Sequence, residues 1–227
     1  MDADDYFNYC SKDIFDEYVN SNADIIFFKI NSVDCDMYTT KIRVFNFNKY
    51  VDYWINSSKK SEALLKYRHP SVLSKLFRTD LIKNNGILFD ETLIGNDITF
   101  AYLAGFHANT ISADPRSLYC TTVRQGSIRQ KKKKWETKLD ELYVAVKRYV
   151  FYKNNKIIVS PNIIQDNSLI ILSFFNRQFK KKAFPILRLF ELTNIEIMKI
   201  FFLCIFIYIP KVMIFNLSSR HKRNLLK

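Results

Sequence analysis

The sequence predicts an α/β domain followed by a mainly α-helical, basic extension. Three observations predict it. Residues 14–128 alternate between short helix-like and strand-like runs. The four glycines, Gly86, Gly95, Gly105 and Gly126, all fall in one stretch, which marks it for tight turns or close backbone approaches. After Ser127 the pattern changes to long helical periodicity with many lysines and arginines. At 227 residues, 48% of them hydrophobic, the chain has ample material for a core and is not of disordered composition.

In chain order, "DIFDEYVNSN" sets Ile14, Phe15, Tyr18 and Val19 at helical spacing. Ile25 to Ile30 then form a β-rich run that suits a buried strand. Lys49 to about Tyr67 reads as helix, broken near Ser57–Ser58. Val72 to Phe77 suits a strand. Thr79 and Asp80 are expected to cap a short helix that stops at Asn84–Asn85–Gly86. "ILF" follows as a short strand, and "GND" precedes an amphipathic helix, "ITFAYLAGF", expected to end near Gly105. "ANTIS" and "SLYCTTVR" read as two more short strands.

The extension opens with "RQKKKKWETKLDELYVAVKRYVFYKNN", a basic helix with Leu139, Leu142, Tyr143, Val146 and Tyr149 on one face. A second helical region is expected over about 161–182. The uncharged apolar run from Ile200 to Pro210 has 11 residues, short of the roughly 20 that a bilayer span needs. It reads as a helix lying in the membrane interface, with Arg220, Lys222 and Arg223 meeting headgroups. The expected divisions are 1–128, 129–194 and 195–227.

Charge is divided along the chain. Residues 1–40 carry nine acidic and two basic side chains, whereas residues 129–227 carry 21 basic and six acidic ones. The acidic start is unlike a secretory leader, and Cys10, Cys35, Cys120 and Cys204 show no paired zinc-like spacing. The expected place is the cytoplasmic side of a membrane. The basic runs come without a recognised nucleic-acid motif, so a membrane surface is expected as partner and nucleic acid is not.

Two carboxylate features carry the chemistry. In "MDADDYF", Asp2 and Asp4 are two residues apart, so in an extended segment both point to one side, where they can hold a hard divalent cation through oxygen. A calcium loop would want glycine where Phe7 stands. In "DETLIGNDITF", Asp97 opens a helix whose first amides can hold its carboxylate ionised, as a proton acceptor requires. Alternatively, Asn96 or Asp97 simply caps that helix, and the acidic start is a solvated tail.

The ordered series "MDADDYF", "NADIIFF", "HPSVLSKLFRTDLIKNNGILFDE", "GNDITFAYLAGFHANTI" and "LYCTTVRQGSI" resembles the bacterial glycosyltransferase family 2, of GT-A fold, from Met1 to about Ile128. The resemblance implies that Asp2 and Asp4, with Asp5 close by, bind a divalent metal (manganese or magnesium) and a nucleotide-sugar donor. It implies that Asp97 is the general base of an inverting transfer to a glycan or lipid-linked acceptor. Lys75, Asn96 and Arg124 are placed for acceptor or phosphate contacts, with Ser127 near Arg124. His69 and His107 read as structural. Leu73 stands where related sequences commonly have tryptophan.

In that fold, strands and helices for the base and ribose precede the paired-aspartate motif. The expectation is therefore a partial GT-A domain lacking its N-terminal nucleotide-binding half, with weak donor binding by this chain alone. A non-catalytic, membrane-associated remnant is the alternative expectation.

Overall fold

The fold is organised around one strand that is buried on both faces. It is seen in a computed structural model that describes residues 5–34, 47–57, 61–123, 135–159 and 176–202. That strand is β2, Ile25–Asp34. Successive side chains of a strand point to opposite faces. Accordingly Ile25 and Phe27 enter one core, with Val51, Leu65, Phe100 and Ala104. Ile26 and Phe28 enter another, with Ile14 and Leu118. The four consecutive apolar residues Ile25–Phe28 that open the strand suit this two-sided burial. Phe27 and Phe28 are both fully buried, each contributing on the order of 2–3 kcal/mol of hydrophobic stabilisation.

The sheet order is β1-β4-β2-β3. β1 is Tyr6–Phe7, β3 is Lys75–Phe77 and β4 is Ile111–Val123. β4 runs parallel to β2, while β1 and β3 are antiparallel additions at the two sides. On one side, α1 (Ser11–Tyr18) places Ile14 against the sheet. On the other lie α2 (Asn48–Ile55), α3 (Ser61–Arg68), α4 (Thr79–Asn84) and α5 (Asn96–His107).

Several expectations take a different form. The region expected as two strands is one, β4, with an irregularity: Phe28 pairs with Asp114 but Lys29 pairs with Ser117. Pro115 and Arg116 have no partner on β2, nor does Leu118 after the next pair, so β4 bulges here, and Arg116 folds back onto Asp114 and Glu17. "ILF" is not a strand: Leu88 and Phe89 are exposed, and Phe89 stacks on Phe100 at 4.5 Å. The strand expected from Val72 begins only at Lys75, because Ser74 adopts a left-handed conformation with φ 62°. The N-cap of α4 is Arg78, with no side-chain cap, so Thr79 and Asp80 lie inside the helix.

Gly105 does not stop α5, which continues to His107. A Cβ on Gly105 would lie 2.6 Å from the Lys66 carbonyl oxygen, so this glycine permits α5 to approach α3. Gly86 behaves as the sequence indicates: with φ 56° it follows α4, and its N–H bonds the Lys83 carbonyl at 3.2 Å.

Asp24 joins three elements. Its Oδ2 accepts from the N–H groups of Asn109 (2.7 Å) and Thr110 (3.0 Å), and its Oδ1 is 2.5 Å from Arg78 Nη2. Burial alone would raise its pKa, but these amides and Arg78 hold it below the usual carboxylate value.

The chain divides into two compact units, one of residues 1–91 and 96–132, the other of 92–95 and 133–227. The second unit is helical. It contains α6 (Trp135–Asn154), α7 (Arg177–Leu189) and helical residues 194–202. Leu142 and Val146 of α6 meet Phe179, Ala183 and Leu187 of α7 and Ile197 and Ile200 in one core. Val144 and Ala145 are also buried, so α6 is covered on more than the one face its sequence suggests. Thr193 and Glu196 form a reciprocal capping box: Thr193 N donates to Glu196 Oε2 at 2.9 Å, and Glu196 N donates to Thr193 Oγ1 at 3.2 Å. Glu196 also pairs with Lys153 of α6. Among the described residues, no helix is long and apolar enough to cross a membrane. The expected helix over 161–175 and the apolar run beyond Phe202 lie outside the described residues.

Candidate functional site

The chemistry of the first unit gathers where β3 meets α5. Ser74, left-handed and buried, donates its hydroxyl to the Lys29 carbonyl, and its own carbonyl accepts from Phe28 N at 2.9 Å. A non-glycine residue in this conformation is held at a cost of about 1–3 kcal/mol. The effect is to start β3 at Lys75, opposite Phe27.

Lys75 is buried. Its Nζ donates to the His69 carbonyl oxygen at 2.8 Å and lies 5.0 Å from the centre of the Phe27 ring. Burial pulls its pKa down from the ordinary lysine value to about 7, against an opposing pull from the Asp97 carboxylate. The His69 ring is buried against Phe47, 4.1 Å between centroids, and Phe27, 5.8 Å. Burial first, then Lys75, push the imidazole well below its ordinary pKa, so it is neutral. His69 is thus part of the wall behind Lys75, the structural role its sequence context suggested.

Asp97 lies in the first turn of α5, where the helix dipole favours a negative charge. The turn that enters α5 is set by Gly95, at φ 72°, and by Asp90. Asp90 N donates to the Asn96 carbonyl at 3.1 Å, and the Asp90 carboxylate accepts from the Thr99 hydroxyl. Asp90 is the acidic residue of the "FDE" segment, and this anchoring role was not read from it. Its spacing, nine residues before a helical threonine, is a signal only once the turn is known. Asn96 is exposed at the head of α5.

Asp5 sits elsewhere on the sheet. Its Oδ1 accepts from Thr122 N at 2.8 Å and its Oδ2 from the Tyr119 hydroxyl at 3.1 Å. These bonds fix the start of the described chain beside the C-terminal end of β4. Tyr6 pairs with Cys120, which pairs with Asn31, whereas Lys75 pairs with Phe27. With about 3.3 Å per residue, Asp5 is about 17 Å further along the strand direction than Lys75. Lys75 thus lies within electrostatic reach of Asp97, whereas Asp5 lies further along the strand direction. Asp2, Asp4, Arg124 and Ser127 lie outside the described residues. Among the described residues, no group of three His, Cys, Asp or Glu side chains is placed to hold a metal ion.

No protein-family model matches the sequence, and no curated protein matches it. The chain is similar to solved structures of Staphylococcus aureus TarS residues 1–349. For the complex with UDP-GlcNAc, the TM-score is 0.51 at 18% identity, covering 84% of this chain and 55% of that one. For the same TarS fragment without a named ligand the values are 0.45, 20%, 78% and 47%, and for its complex with UDP they are 0.45, 21%, 79% and 46%. The first likeness shows that the chain shares a fold with this TarS fragment, a mixed α/β domain with a helical part. The chain spans about half the length of these proteins.

Proposed function

We propose that the chain serves a family-2-like glycosyltransferase, moving a sugar from a nucleotide-sugar to a glycan or lipid-linked acceptor at the cytoplasmic side of a membrane. The observation that carries this reading is the placement of Asp97 in the first turn of α5, within electrostatic reach of buried Lys75. A protein of similar fold, TarS, has been crystallised with UDP-GlcNAc, which supports a uridine nucleotide-sugar as donor.

In this mechanism Asp97 takes the proton from an acceptor hydroxyl. The oxygen then attacks the anomeric carbon from the face opposite the nucleotide. The bond from that carbon to the diphosphate oxygen breaks, the nucleoside diphosphate departs with the electron pair, and the anomeric centre is inverted. Lys75, while protonated, favours the ionised form of Asp97, and it is a positioning residue because its ammonium is turned to the His69 carbonyl. Asn96, exposed beside Asp97, is the acceptor contact.

Asp2 and Asp4 would hold the divalent cation, which supplies positive charge to the leaving diphosphate when bound. Asp5 suits a different task, since both its oxygens already accept from β4. It ties the segment that carries Asp2 and Asp4 to the sheet.

The test is release of UDP by the purified chain with manganese, an oligosaccharide or lipid-linked acceptor, and a panel of nucleotide-sugars. Acceptor-dependent UDP release with one donor supports the reading. No release with any donor favours the alternative, a non-catalytic, membrane-associated remnant.

A further inference from the structure

We propose that the helical unit docks on an anionic phospholipid bilayer through the outer face of α7 and the exposed apolar stripe of residues 194–202. The proposal deepens the membrane part of the function above and locates it on specific residues.

The first observation is the charge of α7. Its sequence, "RQFKKKAFPILRL", has five basic residues and no acidic one. Arg177, Lys180, Lys181, Lys182 and Arg188 are all exposed, and none is in an ion pair with another described residue. At about 100° per residue, Arg177, Lys181 and Arg188 fall within an arc of about 40°. That arc faces away from the buried stripe of Phe179, Ala183 and Leu187. A row of unpaired cations held on a rigid helix complements a surface of lipid phosphates.

The second observation is apolar and independent of the first. On residues 194–202, Ile197, Ile200 and Phe201 are buried, as one face of an amphipathic helix should be. The opposite side is apolar as well. Ile195, Met198 and Phe202 are 69%, 41% and 49% exposed, and helical geometry sets them within an arc of about 60°. Leu189, the last residue of α7, is a further exposed apolar side chain, 68% exposed. Nucleic acid would be served by the cations but gains nothing from exposed isoleucine, methionine and leucine. A bilayer interface uses both, the cations at the phosphates and the apolar side chains at the acyl boundary.

A cavity among the described residues of this unit agrees with that partner. It has a volume of about 340 Å³ and is lined by Trp135, Leu139, Gln178, Phe179, Lys181 and Lys182. Aromatic and aliphatic walls beside two lysines suit a lipid chain below a phosphate.

The experiment is co-sedimentation of the whole chain with vesicles of phosphatidylcholine, or of phosphatidylcholine with phosphatidylglycerol, over a range of salt. Binding to the anionic vesicles, weakening with salt, is expected. The combined variant Arg177→Gln, Lys181→Gln, Arg188→Gln should weaken it on the order of a hundredfold, because each basic residue near such a surface contributes roughly one kilocalorie per mole. Met198→Ser with Phe202→Ser should weaken binding about tenfold without changing the salt dependence. All these positions are exposed, and retained helix content by circular dichroism checks that the variants fold. Equal binding to neutral vesicles, no binding to either, unchanged binding by the charge variant, or tighter binding to duplex DNA at the same salt would each overturn the proposal. The assay contains no sugar donor, so its failure leaves the transferase reading intact, and absence of UDP release leaves this one intact.

Discussion

Asp97 supports the proton on Lys75: the carboxylate at the head of α5 partly offsets the burial that brings the lysine pKa down to about 7. Lys75 is fixed from behind by the His69 carbonyl, so the coupling is directed at one partner. Neutralising that partner has a definite sign. In Asp97→Asn, the Lys75 pKa should fall below its wild-type value. Carbon-13 NMR of the lysine Cε resonances across a pH titration reads it, and an unchanged Lys75 pKa would show the two groups are not coupled.

Lys75 also links stability to pH. Below about pH 7 it is protonated in both folded and unfolded chains. Between there and its ordinary value of 10.5, the unfolded chain binds a proton that the folded chain has released. Raising the pH through this window therefore favours the fold, with a contribution of up to about 1.4 kcal/mol per pH unit. Urea unfolding of wild type and Lys75→Met over this range should show the wild type gaining on the variant as pH rises.

Gly105→Ala separates helix propensity from packing. In an exposed helix the change would stabilise by about 1 kcal/mol. Here the new Cβ would meet the Lys66 main-chain oxygen at 2.6 Å, and backbone cannot give way as a side chain can. A net loss of about 1–3 kcal/mol in chemical denaturation is expected.

Asp24→Ala removes the acceptor for two amides and the partner of Arg78. The expected loss at neutral pH is about 3 kcal/mol. Because the folded-state pKa is lowered, the Asp24 contribution is complete above the ordinary aspartate pKa and fades as pH falls through the folded value. The gap between wild type and variant should therefore narrow in acid, as denaturation at several pH values would show.

Local signals carried much of the architecture. The helix opened by Gly95–Asn96–Asp97 and the stop at Gly86 depend on turn chemistry a few residues long, and both were legible in the sequence. The break between α2 and α3 was legible for the same reason. Non-local contacts were not. Gly105 resembles a helix stop until the Lys66 carbonyl is seen beside it. Pro115 splits the sequence pattern of β4, yet pairing with β2 on both sides of the bulge keeps it one strand. "ILF" has strand composition but lies on the surface, with Phe89 against Phe100.

The site divides in the same way. Asp97 could be singled out because a carboxylate at a helix start is visible in sequence. That Lys75 is buried, and tuned by Asp97, depends on Ser74, His69 and Phe27 meeting around it. The anchoring of Asp5 on β4 joins residues more than a hundred positions apart.

The most direct measurement of the central claim is a comparison of acceptor-dependent UDP release by wild type and Asp97→Asn, matched for folding by circular dichroism. With Asp97 as general base, the variant should lose about two to four orders of magnitude in kcat with little change in donor KM. Equal turnover by the two proteins would contradict the assignment of Asp97 and the mechanism built on it.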